Sequence, residues 1–402
     1  MTPVQLDLLS TILVAFLVLF GGRALVKHSA LLARFSIPAP VVGGVVVAIL
    51  LALVDVFAHL RIGFDMSLRD KLLLMFFTTV GLSADARMLV RGGPKLIVFL
   101  AISAVFILVQ NAVGIAAALA MDLHPVVGLL GGSVTLTGGH GTGAAYGGRL
   151  GETMNLAGAM ELTMACATAG LVLGSVLGGP LAEYLVRRYQ LSPTAEAGAA
   201  AAAAEEEAEA ITSHSVLNTL FAILACLAGG TMLARLVQGS GLILPDFLFC
   251  LLLGVAIRNA STFVPAIRPS AATVDLLGSV ALSLFLVMAL MGMRLVDLVS
   301  LAGPLLVILG LQVVAMALYA VFVTFRVMGR DYDAAVLAAG HVGFALSSTA
   351  AALAVMNTIT ARRGPSPLAF VIVPMVGAFF IDIANALMIQ GYLALPLFGF
   401  PL

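Results

Sequence analysis

Residues 128–148 read GLLGGSVTLTGGHGTGAAYGG, with nine glycines in twenty-one positions, four hydroxyl side chains (Ser133, Thr135, Thr137, Thr142) and His140. A glycine in a helix interior costs about 1 kcal/mol relative to alanine, so one continuous helix through this stretch is strongly disfavoured. Yet the stretch follows residues 96–121, which carry no charge at all. An apolar run of about 20 residues spans a hydrocarbon core of roughly 30 Å. A helix broken at that depth frees backbone N–H and C=O groups, which are tolerated only when buried in protein or lining a cavity. Such groups are what a small charged solute requires. N–H groups at the start of a half-helix attract carboxylates, and carbonyls with hydroxyls suit a hard cation.

The rest of the chain is the solvent-averse frame that this stretch needs. Its 402 residues are 61% hydrophobic and 10% charged, with a mean hydropathy of +1.14. Soluble domains carry about 25% charged residues, which excludes that class. Twenty basic and twenty acidic residues give no basic footprint, so nucleic acid is not an expected partner. Cys166, Cys226 and Cys250 lie in apolar runs without CxxC spacing and read as reduced packing residues. Apolar stretches cover roughly 6–26, 37–58, 70–84, 95–120, 125–147 and 157–186, then 215–237, 245–263, 275–293, 303–326, 333–356 and 367–395. No positive residue precedes the first of them, so it is expected as a retained helix with its N-terminus outside.

An Ala/Glu-rich segment, 190–212, separates two sets of six stretches. Gly-Pro recurs at 93–94 and 303–304, Leu-Leu-Gly-Gly-Ser at 129–133 aligns with Ala-Ala-Gly-His at 338–341, and Gly170 aligns with Gly377. These near-constant offsets point to a duplicated unit. If all twelve stretches cross, the Lys and Arg residues divide 11 inside to 9 outside, without bias. If 125–147 and 333–356 dip in and return, the division becomes 14 to 6, as the positive-inside rule requires. The expected fold is therefore an all-α polytopic membrane protein. Residues 1–189 form a five-helix repeat with a re-entrant loop at 125–147. Residues 190–212 are a cytoplasmic linker, and 213–402 an inverted repeat with a re-entrant loop at 333–356. An odd number of spans per half inverts the repeats, an architecture of many secondary transporters.

The second loop, AAGHVGFALSSTAAALAVMN from 338 to 357, has only two glycines, but Ser347, Ser348 and Thr349 form a hydroxyl cluster. Ionisable groups deep in the spans are few, namely Glu161, Asp382, Asp55, His140 and His341, and an intramembrane carboxylate is by default a functional candidate. Gln110 and Asn111 in the fourth span read as interhelical hydrogen bonders. No HExxH occurs, which weighs against an intramembrane metallohydrolase. Two dissimilar half-loops favour alternating access over a symmetric pore.

The run GGSVTLTGGHGTGAAYG (131–147) resembles the bacterial sodium/glutamate symporter family. So do MSLRDKLLLMFFTTVGLSAD (66–85), MACATAGLVLGSVLGGP (164–180), ALSLFLVMALMG (281–292), YDAAVLAAGHVGF (332–344) and VPMVGAFFIDIANAL (373–387). The likeness implies a carrier rather than an enzyme. It also implies uptake of L-glutamate with Na+ as the coupling ion and no other cofactor, by a homodimer working through an elevator-like alternation. With the charge division, the chain is expected in the bacterial inner membrane with periplasmic termini. The runner-up is a proton- or sodium-coupled carrier of another organic anion, such as a di- or tricarboxylate. The expected substrate residues are Ser133, Thr135, Thr137, Gly138, Gly139, His140, Gly141, Thr142, Glu161, His341, Ser347, Ser348 and Thr349. The expected sodium residues are Thr135, Thr137, Ser348, Asp382 and Asn385. Where that family resembles GFGLGATPT, this chain has GFALSSTAA at 343–351, a departure that bears on the cation site and on substrate preference.

Overall fold

A computed structural model describes residues 2–29, 32, 38–58, 60–84, 86–154, 156, 158–193, 211–237, 246–261, 269–292 and 302–398. Most of the 190–212 linker, and Arg34, Arg268 and Arg294 of the charge count, lie outside the described residues. The described chain is helical apart from a parallel pair of four-residue strands, β1 (Thr2–Gln5) and β2 (Leu60–Gly63). The helices are α1 (Leu8–His28), α2 (Ala39–Ala58), α3 (Ser67–Ser83), α4 (Ala86–Ala120), α5 (Pro125–Leu130), α6 (Gly139–Thr153) and α7 (Ala159–Tyr189). After the linker come α8 (Ser213–Val237), α9 (Asp246–Ala260), α10 (Ala271–Met291) and α11 (Ala302–Tyr319), then α12 (Tyr332–Leu346), α13 (Thr349–Arg363), α14 (Pro367–Met375) and α15 (Ile381–Leu393).

Among the described residues, six helices are long and apolar enough to cross a membrane: α1, α4 from Gly93, α7, α8, α10 and α11 with its extension to Val327. Their large side chains point outward, as Leu9 and Leu13 of α1 and Phe221 of α8 show. Outward leucine and phenylalanine are stable only against an apolar surround. The helix ends are capped by short polar side chains. Asp7 accepts from the Ser10 N–H at 3.1 Å, and the Ser10 hydroxyl and N–H together hold its carboxyl below the usual range. Ser270 and Asp331 cap α10 and α12 in the same way. In α4, Gly93 takes φ +64°, a value open to glycine at little cost, and Pro94 follows it as the straight apolar section begins.

Compactness divides the chain into two units, and each draws on both halves of the sequence. The first comprises residues 1–84, 143–165 and 209–303. There α1 and α2 approach at Gly22, where a β-carbon would stand 2.1 Å from the Ala39 carbonyl oxygen, and Phe77 of α3 stacks on Phe247 of α9 at 4.1 Å. The second comprises 85–142, 166–208 and 304–402. In it α4 meets α5 glycine to glycine, with a Gly128 β-carbon 2.1 Å from the Gly114 oxygen. The repeat boundary expected at the linker is a division along the sequence and runs across this division by compactness.

Both stretches expected to be interrupted are interrupted. The first leaves the helix at Gly131 and resumes at Gly139, where φ is +64°. The second is broken only at Ser347 and Ser348, between α12 and α13. It folds back on itself, for a β-carbon on Gly343 would stand 2.4 Å from Ala352 Cα, and one on Gly340 would stand 2.8 Å from the Met356 sulfur. At the base of this helical hairpin Arg363 pairs with Glu183 of α7, which also accepts from Arg187 Nε at 2.5 Å. The Tyr332 hydroxyl closes the hairpin's two ends by donating to the Gly364 carbonyl at 2.5 Å.

Candidate functional site

Within the second unit the two breaks meet on a shared frame. Gln110, fully buried on α4, touches both. Its Nε2 donates to the Ala345 carbonyl at 2.9 Å, and its Oε1 accepts from the Thr137 hydroxyl at 2.6 Å. Gln312 of α11 donates in turn to the Gln110 carbonyl at 2.8 Å. Gly139 lies close to the Ser347 carbonyl oxygen, 3.5 Å from where its β-carbon would be. The seat beneath is α7, where Gly170 meets the Leu346 carbonyl and Gly174 meets the Ser347 side chain.

Ser133 is the second node. The Asn111 Oδ1 accepts from its N–H at 2.9 Å, and the Asn385 Nδ2 donates to its carbonyl at 3.0 Å. The Gly138 N–H also donates to that carbonyl, at 2.8 Å. Several polar atoms here are buried yet have no partner among the described residues: Asn111 Nδ2, Ser133 Oγ, Asn385 Oδ1, Ser347 Oγ and Gln312 Oε1. Each unmet buried group of this kind costs about 1–3 kcal/mol. Five such atoms lie around the two helix breaks, where a ligand, an ion or water would satisfy them.

The other expected residues fall at graded distances from these nodes. Thr137 lies between the breaks. Gly138 packs on Thr142 and the Asn385 amide, while Gly139, His140 and Gly141 supply the first turn of α6. The His140 ring bonds to Thr168 of α7 at 3.1 Å. The Thr135 hydroxyl is spent on the Leu130 carbonyl at 2.7 Å, and the Ser348 hydroxyl caps α13 by accepting from the Ala351 N–H. Thr349 faces Gly377, in the π-turn Val376–Phe380 that joins α14 to α15. Asp382 is half-buried, three residues before Asn385 on the same face of α15.

Two expected residues stand elsewhere. His341 lies inside α12, not in its break, edge-on to Phe99, Phe106 and Tyr319 and stacked on Phe344. Its Nδ1 bonds to the Thr324 hydroxyl at 2.9 Å, on the π-turn Ala320–Thr324 that extends α11. Glu161 is in the first turn of α7 and belongs to the first unit. Gln110, which bonds at both breaks, Asn111, which holds the first, and Gln312, which backs Gln110, are not among the expected substrate or sodium residues, although Gln110 and Asn111 are expected as interhelical hydrogen bonders. Their signal was an amide pair and a lone amide in otherwise apolar helices.

A family profile described as sodium/glutamate symporter matches residues 4–365. Over 398 residues the chain is 47% identical to proteins named sodium/glutamate symporter from Escherichia coli (strain K12) and Shigella flexneri, covering 98% of this chain and 99% of each relative. A protein of the same name from Haemophilus influenzae is 46% identical over 387 residues, 94% of this chain and 95% of its own length.

Proposed function

We infer the transported solutes from one premise: the chain belongs to the sodium/glutamate symporter family. It is a transporter and not an enzyme, and its described helices suit a multi-pass membrane protein. Its cargo is L-glutamate moved together with Na+. The observation that carries this reading is the meeting of two helix breaks at Gln110, beside buried amide and hydroxyl groups with unmet hydrogen-bonding capacity. Free N–H groups at the start of α6 offer donors to a carboxylate. Hydroxyl and carbonyl oxygens offer ligands to a hard cation. A bound sodium ion lowers the cost of placing the substrate's negative charge in a low-dielectric site, so each ligand strengthens the other.

The same reading takes the two breaks as re-entrant loops of inverted five-helix repeats. The fold-back of α12 on α13 supports this for the second loop, and the matching offsets between the two halves support the symmetry. Both breaks belong to the second compact unit. One body therefore carries the whole site, as an elevator-like mechanism requires, with a homodimer as its natural platform. In proteoliposomes, labelled glutamate is expected to accumulate under an inward sodium gradient and not under an equal choline gradient. Uptake that ignores sodium and follows acidic external pH would instead assign proton coupling.

The charge division supports termini in the periplasm and a linker in the cytoplasm of a bacterial inner membrane. A single cysteine at position 2 or 402 is then expected to react with an impermeant maleimide in intact cells. One at position 200 should react only after permeabilisation, and labelling of position 200 from outside would remove the inverted topology.

A further inference from the structure

We propose that backbone partners fix the polarity of the amides around Ser133, so that Asn385 presents an acceptor to the cation and Asn111 a donor to a substrate carboxylate. This deepens the function proposed above and rests on it. A side-chain amide offers two donors on nitrogen and an acceptor on oxygen, and which end is free depends on what the other end holds. The Ser133 carbonyl only accepts, so Asn385 must turn its nitrogen to it, at 3.0 Å, which leaves Oδ1 as the buried end without a partner. The Ser133 N–H only donates, so Asn111 must turn its oxygen to it, at 2.9 Å, which leaves Nδ2 without one. The two amides grip one residue from its two peptide groups and expose opposite polarities.

The side chain between them completes the arrangement. Ser133 is fully buried and its hydroxyl has no partner among the described residues. A hydroxyl donates once and accepts twice, so it serves a carboxylate and a cation at the same time. Thr137 follows the same logic. The Ala345 carbonyl only accepts and so fixes the Gln110 nitrogen, after which Gln110 Oε1 takes the Thr137 proton and the Thr137 oxygen keeps its lone pairs. Oxygen acceptors thus stand at Asn385 and Thr137 and a nitrogen donor at Asn111, with the Asp382 carboxyl three residues before Asn385 on α15.

The test inverts one polarity at a time. Asn111→Asp keeps shape and the Oδ1 bond to the Ser133 N–H but turns the free end from donor to acceptor. Asn385→Leu removes the free oxygen, whereas Asn385→Asp keeps it, the proton of the buried acid taking over the bond to the Ser133 carbonyl. Purified protein is heated in NaCl or choline chloride without glutamate to read sodium binding alone. Reconstituted protein gives the glutamate KM at saturating sodium. Asn111→Asp is expected to raise that KM about tenfold or more, the loss of one hydrogen bond to a charged group, with the sodium-dependent thermal shift intact. Asn385→Leu is expected to move the sodium midpoint about tenfold or more, while Asn385→Asp retains it. An unchanged KM in Asn111→Asp, or a sodium response lost in Asn385→Asp, overturns the assignment. So does one retained in Asn385→Leu. If the wild-type protein binds sodium yet transports no glutamate, the functional reading fails and the cation half of the assignment is still scored by the thermal shift.

Discussion

Gly343→Val is expected to reduce sodium-driven glutamate uptake by about two orders of magnitude, the equivalent of roughly 3 kcal/mol at the site. The hairpin of α12 and α13 closes at this glycine. A β-carbon there would lie 2.4 Å from Ala352 Cα and 2.8 Å from its nitrogen, and backbone cannot give way as a flexible side-chain tip does. The arms must spread, and their spreading draws Ala345 away from the Gln110 amide and strains the bond from the Ser348 N–H to the Gly343 carbonyl, now 3.2 Å. The control is Gly310→Val on α11, where an added β-carbon meets nothing within 4 Å. Uptake per unit of reconstituted protein should there stay within about twofold, since valine costs no more than glycine in a helix. Equal losses in both variants would mean that bulk on a membrane helix, and not closure of the hairpin, governs transport.

The glycine count at 128–148 made the first break legible, because no other feature opposes nine helix-weakening residues. The second break was read from hydroxyls and a symmetric position, and it occupies only Ser347 and Ser348. Its sharpness comes from the close approach of Gly343 to Ala352, a tertiary contact that local composition does not encode. The same limit hid the partners of Gln110 and Asn111. Two amides in an apolar helix announce that they will find hydrogen bonds, but not that each will hold a helix break 22 to 235 residues away. His341 is expected among the substrate residues of the 333–356 loop, whereas it sits in the helix α12 and bonds to Thr324 of a π-turn. A π-turn leaves no periodic trace to read. The interleaving of both halves in each compact unit is likewise a matter of long-range contact. Hydropathy fixes where helices begin and end, not which of them pack together.

Gln110→Leu tests whether the two breaks act as one site. Leucine fills similar space but removes the only side chain among the described residues that bonds to both breaks. The Ala345 carbonyl and the Thr137 hydroxyl then lose partners now at 2.9 and 2.6 Å, and each orphaned buried group costs about 1–3 kcal/mol. The hydroxyl still has the Ala345 oxygen 3.3 Å away, which recovers part of that cost by pulling the two breaks into a different spacing. Because the amide orders both breaks, its loss should act on both ligands. The sodium midpoint and the glutamate KM are each expected to rise about thirtyfold, as roughly 2 kcal/mol of lost preorganisation dictates. This contrasts with the separable effects expected at Asn111 and Asn385, whose free ends are proposed to meet one ligand each. Gln110→Glu sharpens the test. At this buried position the carboxyl is held in its protonated form, which still accepts from Thr137 and donates its proton to the Ala345 carbonyl. Its losses should therefore be smaller than those of leucine. A Gln110→Leu protein in which only one of the two affinities falls would show that the breaks bind their ligands independently, and the coupling between sodium and glutamate would then have to run through Ser133 alone.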